Sequence, residues 1–173
     1  MGYNEVVCGG LWGKVARSGP KIEARWGALE QMFLGEFVHT IDRKGRLTLP
    51  AKFRPGLASG VVVTRGMDRC LVIYPMAEWE RLSQRISALP ITDKRARDFR
   101  RLVFSGAADV MPDRQGRILI PAYLREYANL DGEVVVAGLN TYIEVWNPQA
   151  WQEVRQSVED VTTNLEQWAS LEI

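Results

Sequence analysis

Asp42-Arg43-Lys44-Gly45-Arg46-Leu47-Thr48-Leu49-Pro50-Ala51 returns 71 residues later as Asp113-Arg114-Gln115-Gly116-Arg117-Ile118-Leu119-Ile120-Pro121-Ala122, with six of ten positions identical. Further along the offset becomes 72, so that Gly66 matches Gly138, Leu71 matches Ile143, Tyr74 matches Trp146 and Trp79 matches Trp151; one extra residue before Gly132 accounts for the change. The 142 residues from Met32 to Ile173 therefore read as two copies of one unit.

Each copy has the same local grammar. Alternation across Glu36–Ile41 predicts a strand with Phe37, His39 and Ile41 on one face. A turn follows at Asp42–Gly45, where glycine takes a positive φ at little cost and an aspartate at the head accepts backbone N–H groups. Arg46–Leu49 returns as a short strand, Leu47 and Leu49 pointing one way, Arg46 and Thr48 the other. Pro50 and Pro121 are expected to open a helical turn as its first residue. Two β-branched strands then flank Gly66 or Gly138: Val61–Arg65 with Cys70–Tyr74, and Glu133–Ala137 with Tyr142–Trp146. A helix closes each unit, from about Met76 to Leu89 in the first; in the second it starts at Asn147-Pro148 and carries Trp151, Val154 and Val158 at helical spacing. A linker helix is predicted over roughly Asp93–Phe104. One unit is too small to bury much surface alone, so the two should share a core.

Composition narrows the functional classes. The chain has 173 residues, 22 Lys+Arg against 21 Asp+Glu and a formal charge of +1, with 46% hydrophobic residues, which is the profile of a globular protein. Apolar runs such as Val61-Val62-Val63 are far short of the ~20 residues a bilayer requires. Cys8 and Cys70 have no metal-ligand or disulfide spacing, and His39, the one histidine, lies on the apolar side of a strand, as a core or rim residue would. Neither a metal site, a cofactor nor a small-molecule pocket can be read from the residues. No nucleophile-elbow, zincin or phosphate-loop motif is present; Gly9-Gly10-Leu11-Trp12-Gly13-Lys14-Val15 lacks the first glycine and the hydroxyl of such a loop. The chain is not expected to be an enzyme. Residues 1–31, broken by Gly9-Gly10, Gly13, Ser18-Gly19-Pro20 and Gly27, are expected to be a leader that is disordered or a non-native extension.

Charge is segregated even though it nearly cancels. Residues 42–54 carry Arg43, Lys44, Arg46, Lys52 and Arg54 against Asp42, and residues 94–101 carry Lys94, Arg95, Arg97, Arg100 and Arg101 against Asp98, each a local +4. After Arg155 come Glu159, Asp160, Glu166 and Glu172 with no base. A basic hairpin is ordinarily a solvated edge, and a basic helix face is ordinarily paired with acids. Its repetition with the same arginine after the same glycine favours phosphate bridging, or bidentate contact with guanine in a major groove.

Met32-Phe33-Leu34-Gly35, then Asp42-x-x-Gly45-Arg46-Leu47-x-Leu49-Pro50-Ala51-x-Phe53-Arg54, then a second Asp113-x-x-Gly116-Arg117, closely resemble the MraZ family of bacterial DNA-binding proteins. The resemblance covers Met32 to Ile173, and Met32 is similar to the family's usual start. It implies an α+β, β-rich fold of two tandem SpoVT–AbrB-type swapped-hairpin units, like a double-split β-barrel. The units, 32–105 with the linker helix and 106–173 with the C-terminal helix, would pack as pseudo-symmetric halves. It also implies a transcriptional regulator, typically a repressor of its own promoter at the head of the division and cell-wall cluster. The partners would be double-stranded DNA with short direct repeats and further copies of the chain in a ring, in the cytoplasm on the nucleoid. The motif maps Asp42, Gly45, Asp113 and Gly116 to turn-structuring roles, and Arg43, Lys44, Arg46, Lys52, Arg114 and Arg117 to DNA contact. Gln115, uncharged where Lys44 is cationic, makes the second copy the weaker electrostatic partner. A structural or protein-binding ring, and an antitoxin-like hairpin protein, are the alternatives.

Overall fold

The computed structural model describes residues 32–160 and Trp168. The leader assigned to residues 1–31 lies outside the described residues, as does most of the chain beyond Asp160.

The first copy contributes β1 (Phe33–Thr40), β2 (Arg46–Thr48), a 3₁₀ turn at Ala51–Phe53 running into α1 (Arg54–Leu57), β3 (Val61–Arg65), β4 (Leu71–Pro75) and α2 (Met76–Ser87). After α3 (Lys94–Gly106), the second contributes β5 (Ala108–Val110), β6 (Arg117–Leu119), α4 (Ala122–Tyr127), β7 (Glu133–Asn140), β8 (Tyr142–Trp146) and α5 (Pro148–Glu159). The protein is thus α+β, with two tandem units. Its antiparallel six-stranded sheet runs β1-β7-β8-β4-β3-β5, and a separate ribbon pairs β2 with β6. Exchanging each strand for its counterpart in the other copy reverses the sheet order and leaves the neighbours unchanged. The sheet therefore has a pseudo-two-fold between β4 and β8, and the copies trade strands: β1 pairs with β7, β5 with β3, and β2 with β6.

Alternation builds the layers. Val61, Val63, Leu71, Ile73, Val134, Val136, Ile143 and Val145 face one side of the sheet, where Leu47, Leu49, Ile118 and Ile120 of the ribbon and Phe53, Leu57 and Leu124 of the short helices meet them in one core. The edge-to-face rings of Phe33 and Phe37 on Phe53, with centroids 5.3 and 5.1 Å apart, fasten β1 to the 3₁₀ turn. The opposite side carries Cys70, Val72, Val135 and Trp146, partly covered by Trp151 and Val154 of α5. Thr64, buried there, donates its hydroxyl to the Val103 carbonyl at 2.6 Å and ties α3 to β3.

Some local expectations need correction. Pro50 and Pro121 sit at the N-cap with extended ψ of 134° and 147°, one residue outside the helical turns they precede. Strand β7 runs on to Asn140 because β1 pairs along its whole length, Phe33 opposite Asn140 and Thr40 opposite Glu133. Val158 is 48% exposed although it shares a helical spacing with Trp151 and Val154. As anticipated, Asn147 caps α5, its Oδ1 accepting from the N–H groups of Gln149 and Ala150.

Candidate nucleic-acid interface

The duplicated turns are geometrically the same object built twice. The Asp42 carbonyl accepts the Gly45 N–H at 2.8 Å and the Asp42 N–H donates to the Arg46 carbonyl at 3.0 Å; the Asp113 turn repeats both, each at 2.8 Å. Oδ1 of Asp42 accepts the N–H groups of Lys44 and Arg46 at 2.9 and 3.0 Å, and Oδ1 of Asp113 those of Gln115 and Arg117 at the same distances. The second oxygen takes the arginine side chain. Nε and Nη2 of Arg46 both lie 2.7 Å from Asp42 Oδ2, and those of Arg117 lie 2.8 and 2.7 Å from Asp113 Oδ2. Chiefly through this side-chain hydrogen bond, and then the backbone N–H of the same arginine, each carboxyl falls from 3.8 to about 2. Arg46 and Arg117 are thereby held in fixed rotamers, 33% and 25% exposed, with Nη1 outside the clasp.

Gly45 and Gly116 have φ of +79° and +73°, which glycine alone adopts cheaply. They also leave room for an arginine from the other copy. A Cβ on Gly45 would lie 3.0 Å from Arg125 Nε, and one on Gly116 would collide with Arg54. Arg54 Nε donates to the Leu49 carbonyl and Arg125 Nε to the Ile120 carbonyl, both at 3.1 Å. The Gly116 and Gly45 carbonyls in turn accept the N–H groups of Leu49 and Ile120 at 2.9 and 2.8 Å. Each turn is thus braced by the other copy, a role for Arg54 and Arg125 that sequence reasoning missed. The available signal was their own repetition at offset 71. His39 is half-buried near this brace, its pKa lowered by burial and then by the charge of Arg54.

The cations predicted for this site separate into groups. Arg43, Lys44 and Arg114 are exposed on the turns, beside Gln115. Arg46, Thr48, Arg117 and Leu119 form the outward face of the ribbon, while Leu47 and Ile118 are wholly buried beneath. Lys52 is not brought to them. Its Nζ lies 3.4 Å from the Leu34 carbonyl near the start of β1, six strand residues before Thr40 and roughly 20 Å from the turn. The basic run of α3 is also elsewhere, and each of its cations is engaged by a carboxylate or by backbone carbonyls of its own neighbourhood. Lys94 and Arg101 pair with Asp98 and Arg95 with Asp93; Arg97 caps the carbonyls of Ile91 and Thr92, and Arg100 those of Ile86, Ser87 and Leu89.

Among the described residues, no group of three or more His, Cys, Asp or Glu could hold a metal ion, and no helix is long and apolar enough to cross a membrane. Burial pushes the Cys70 thiol up to about 12, which leaves it a poor nucleophile. The site's chemistry is donor chemistry: guanidinium and ammonium groups directed outward from a rigid two-stranded ribbon.

The family described as "MraZ protein, putative antitoxin-like" matches this chain twice, over residues 32–102 and 103–169. The transcriptional regulator MraZ of Roseiflexus castenholzii is 54% identical over 128 residues, covering 74% of this chain and 90% of its own. The transcriptional regulators MraZ of Herpetosiphon aurantiacus and Frankia casuarinae are 54% and 53% identical over 129 residues, each covering 75% of this chain and 90% of the relative. The chain belongs to the MraZ family, a family of transcriptional regulators rather than enzymes.

Proposed function

We propose that this protein regulates transcription by binding double-stranded DNA sequence-specifically through the β2–β6 ribbon and its two flanking turns. It does so as a ring-shaped homo-oligomer whose protomers engage short direct repeats upstream of its own gene, and it represses that promoter at the head of the division and cell-wall cluster. Its place of action is the cytoplasm, on the nucleoid. The observation that carries this reading is the pair of clasped arginines, Arg46 and Arg117, set on one face of a two-stranded antiparallel ribbon. A ribbon of that width enters a major groove about 12 Å wide, and an arginine already fixed in its rotamer loses little entropy on contacting a base edge. Arg43, Lys44 and Arg114 stand at the ribbon's ends, where they position on phosphates. Lys52 is left out of the contact set because of its place beside β1. Residues 32–105 and 106–173 serve as the two halves of one reading head.

A chain of net charge +1 exerts no long-range field on DNA, so a single protomer binds weakly. Repetition supplies the remainder. Once one protomer of a ring is bound, the next contact is intramolecular, and avidity adds a factor of about 10² to 10⁴.

Gel shift of the full chain on DNA from upstream of its own gene, beside a scrambled duplex, tests the reading. Preference for the upstream duplex is expected; equal binding, or none, refutes it in favour of a purely structural ring. Arg46→Ala should cost about 1–3 kcal/mol per engaged site and relax sequence choice. Lys44→Ala should weaken all duplexes alike and reduce the slope of log K against log salt by about 0.9 per site.

A further inference from the structure

The ribbon is symmetric in backbone but not in chemistry. Its pseudo-two-fold relates Arg46 to Arg117 and Thr48 to Leu119, while Lys44 on one turn answers Gln115 on the other. Arg46 lies directly opposite Leu119 and Thr48 directly opposite Arg117, placing each cross-strand pair of Cβ atoms about 4.5–5.5 Å apart. One half of the face is therefore Lys44, Arg46 and Leu119; the other is Gln115, Arg117 and Thr48. Leu119 is 54% exposed, a large aliphatic side chain between arginines on an otherwise polar surface. Its neighbour Ile118 is 0% exposed in the core, so the alternation of the strand, and not a lack of room inside, turns Leu119 outward.

We propose that Leu119 is a specificity-determining residue that packs on the 5-methyl group of a thymine in the major groove, next to the base read by Arg46. This rests on the DNA-binding function proposed above and deepens it. Among base edges in the major groove, only thymine presents a methyl group. A leucine against phosphates or the polar edges of other bases loses hydration with no apolar contact in return. Thr48, its counterpart, has a hydroxyl suited to any base edge and only one short methyl, where Leu119 has a longer branched apolar end. The ribbon consequently has a strongly methyl-seeking half and a weakly selective half, which gives each protomer one preferred direction along the duplex. Protomers of a closed ring all follow the same sense, so boxes of one polarity suit them.

Fluorescence anisotropy at physiological salt, with the full chain and labelled duplexes of the DNA upstream of its gene, tests the proposal. One duplex contains thymine and the other uracil at every thymine, which removes the methyl groups and keeps the pairing. The wild type should lose about fourfold in affinity for each contacted methyl removed. Leu119→Ala and Leu119→Ser, which withdraw the branched apolar end, should bind the two duplexes equally, with the salt slope and the size of the assembly unchanged. Leu119→Met and Thr48→Ala should retain the discrimination. If the wild type binds the upstream DNA specifically yet treats both duplexes alike, the proposal is wrong while the DNA-binding function stands. Discrimination that survives Leu119→Ala, or a change of assembly size in that variant, also overturns it, the latter by making Leu119 a contact between copies. If the wild type shows no sequence preference on the thymine duplexes, the function on which the proposal rests has failed. The uracil comparison on the wild type needs no variant and can overturn the proposal alone; if Leu119→Ala folds poorly, loss of the discrimination in Leu119→Ser assigns the contact to residue 119.

Discussion

Asp42 and Asp113 each gather two backbone N–H groups and one guanidinium on a single carboxylate, and this gives the turns their acid dependence. Folding lowers both carboxyls from 3.8 to about 2, so the unfolded chain binds more protons in that window. The stabilising contribution of the clasps is complete above about 3.8, falls as pH drops, and is gone below about 2. Carboxyl NMR titration of Asp42 and Asp113 should place both midpoints near 2; midpoints near 3.8 would show that the arginines are not held. The aspartate turn and the glycine with positive φ were readable because both follow from a four-residue segment. The return of Arg46 onto Asp42 was not, since it depends on side-chain torsions that the string of letters leaves open. The position of Lys52 beside β1 was hidden for a related reason: closeness in sequence to a basic turn says nothing about which strand the lysine lies along.

Elements were legible where local pattern decided them. Asn147-Pro148 marked the start of α5, and the β-branched runs marked β3 and β7. Strand lengths were less so, because partners set them. β7 extends to Asn140 under the full-length pairing of β1, whereas β3 stops at Arg65 beside a β5 of three residues. β5 is short because α3 runs to Gly106 before it and Pro112, without an N–H to donate, follows it. The close pairing of β1 with β7 puts a demand on Gly138: a Cβ there would stand 2.5 Å from the Phe33 carbonyl carbon and 2.7 Å from the Leu34 nitrogen. These are backbone atoms and cannot swing aside. Gly138→Ala should destabilise the protein by about 1–3 kcal/mol or more, read as a lower urea midpoint with little change in slope.

At the scale of the whole molecule, the repeat announced two copies and a shared core, yet only three-dimensional pairing reveals how thoroughly they are interleaved. Every strand of the ribbon, both edge strands of the sheet and both bracing arginines find partners in the other copy. Cross-copy contacts leave no trace in local periodicity, which is why Arg54 figures in the sequence only as one charge of the basic segment 42–54 and Arg125 carries no role there. The covalent connection between copies then contributes little beyond proximity. Cleavage of the exposed Pro90-Ile91-Thr92 segment should leave two fragments that migrate as one species in gel filtration and separate only in denaturant; independent migration of the pieces would contradict the exchanged topology.

That interleaving has a consequence for how such a chain can change over time. A partnership of identical units must alter both members whenever one codon mutates. Joining two units into one polypeptide frees each to drift separately while the scaffold stays mutually enforced. Lys44 with Gln115, and Thr48 with Leu119, are sites where the halves have already parted company without disturbing the frame that carries them.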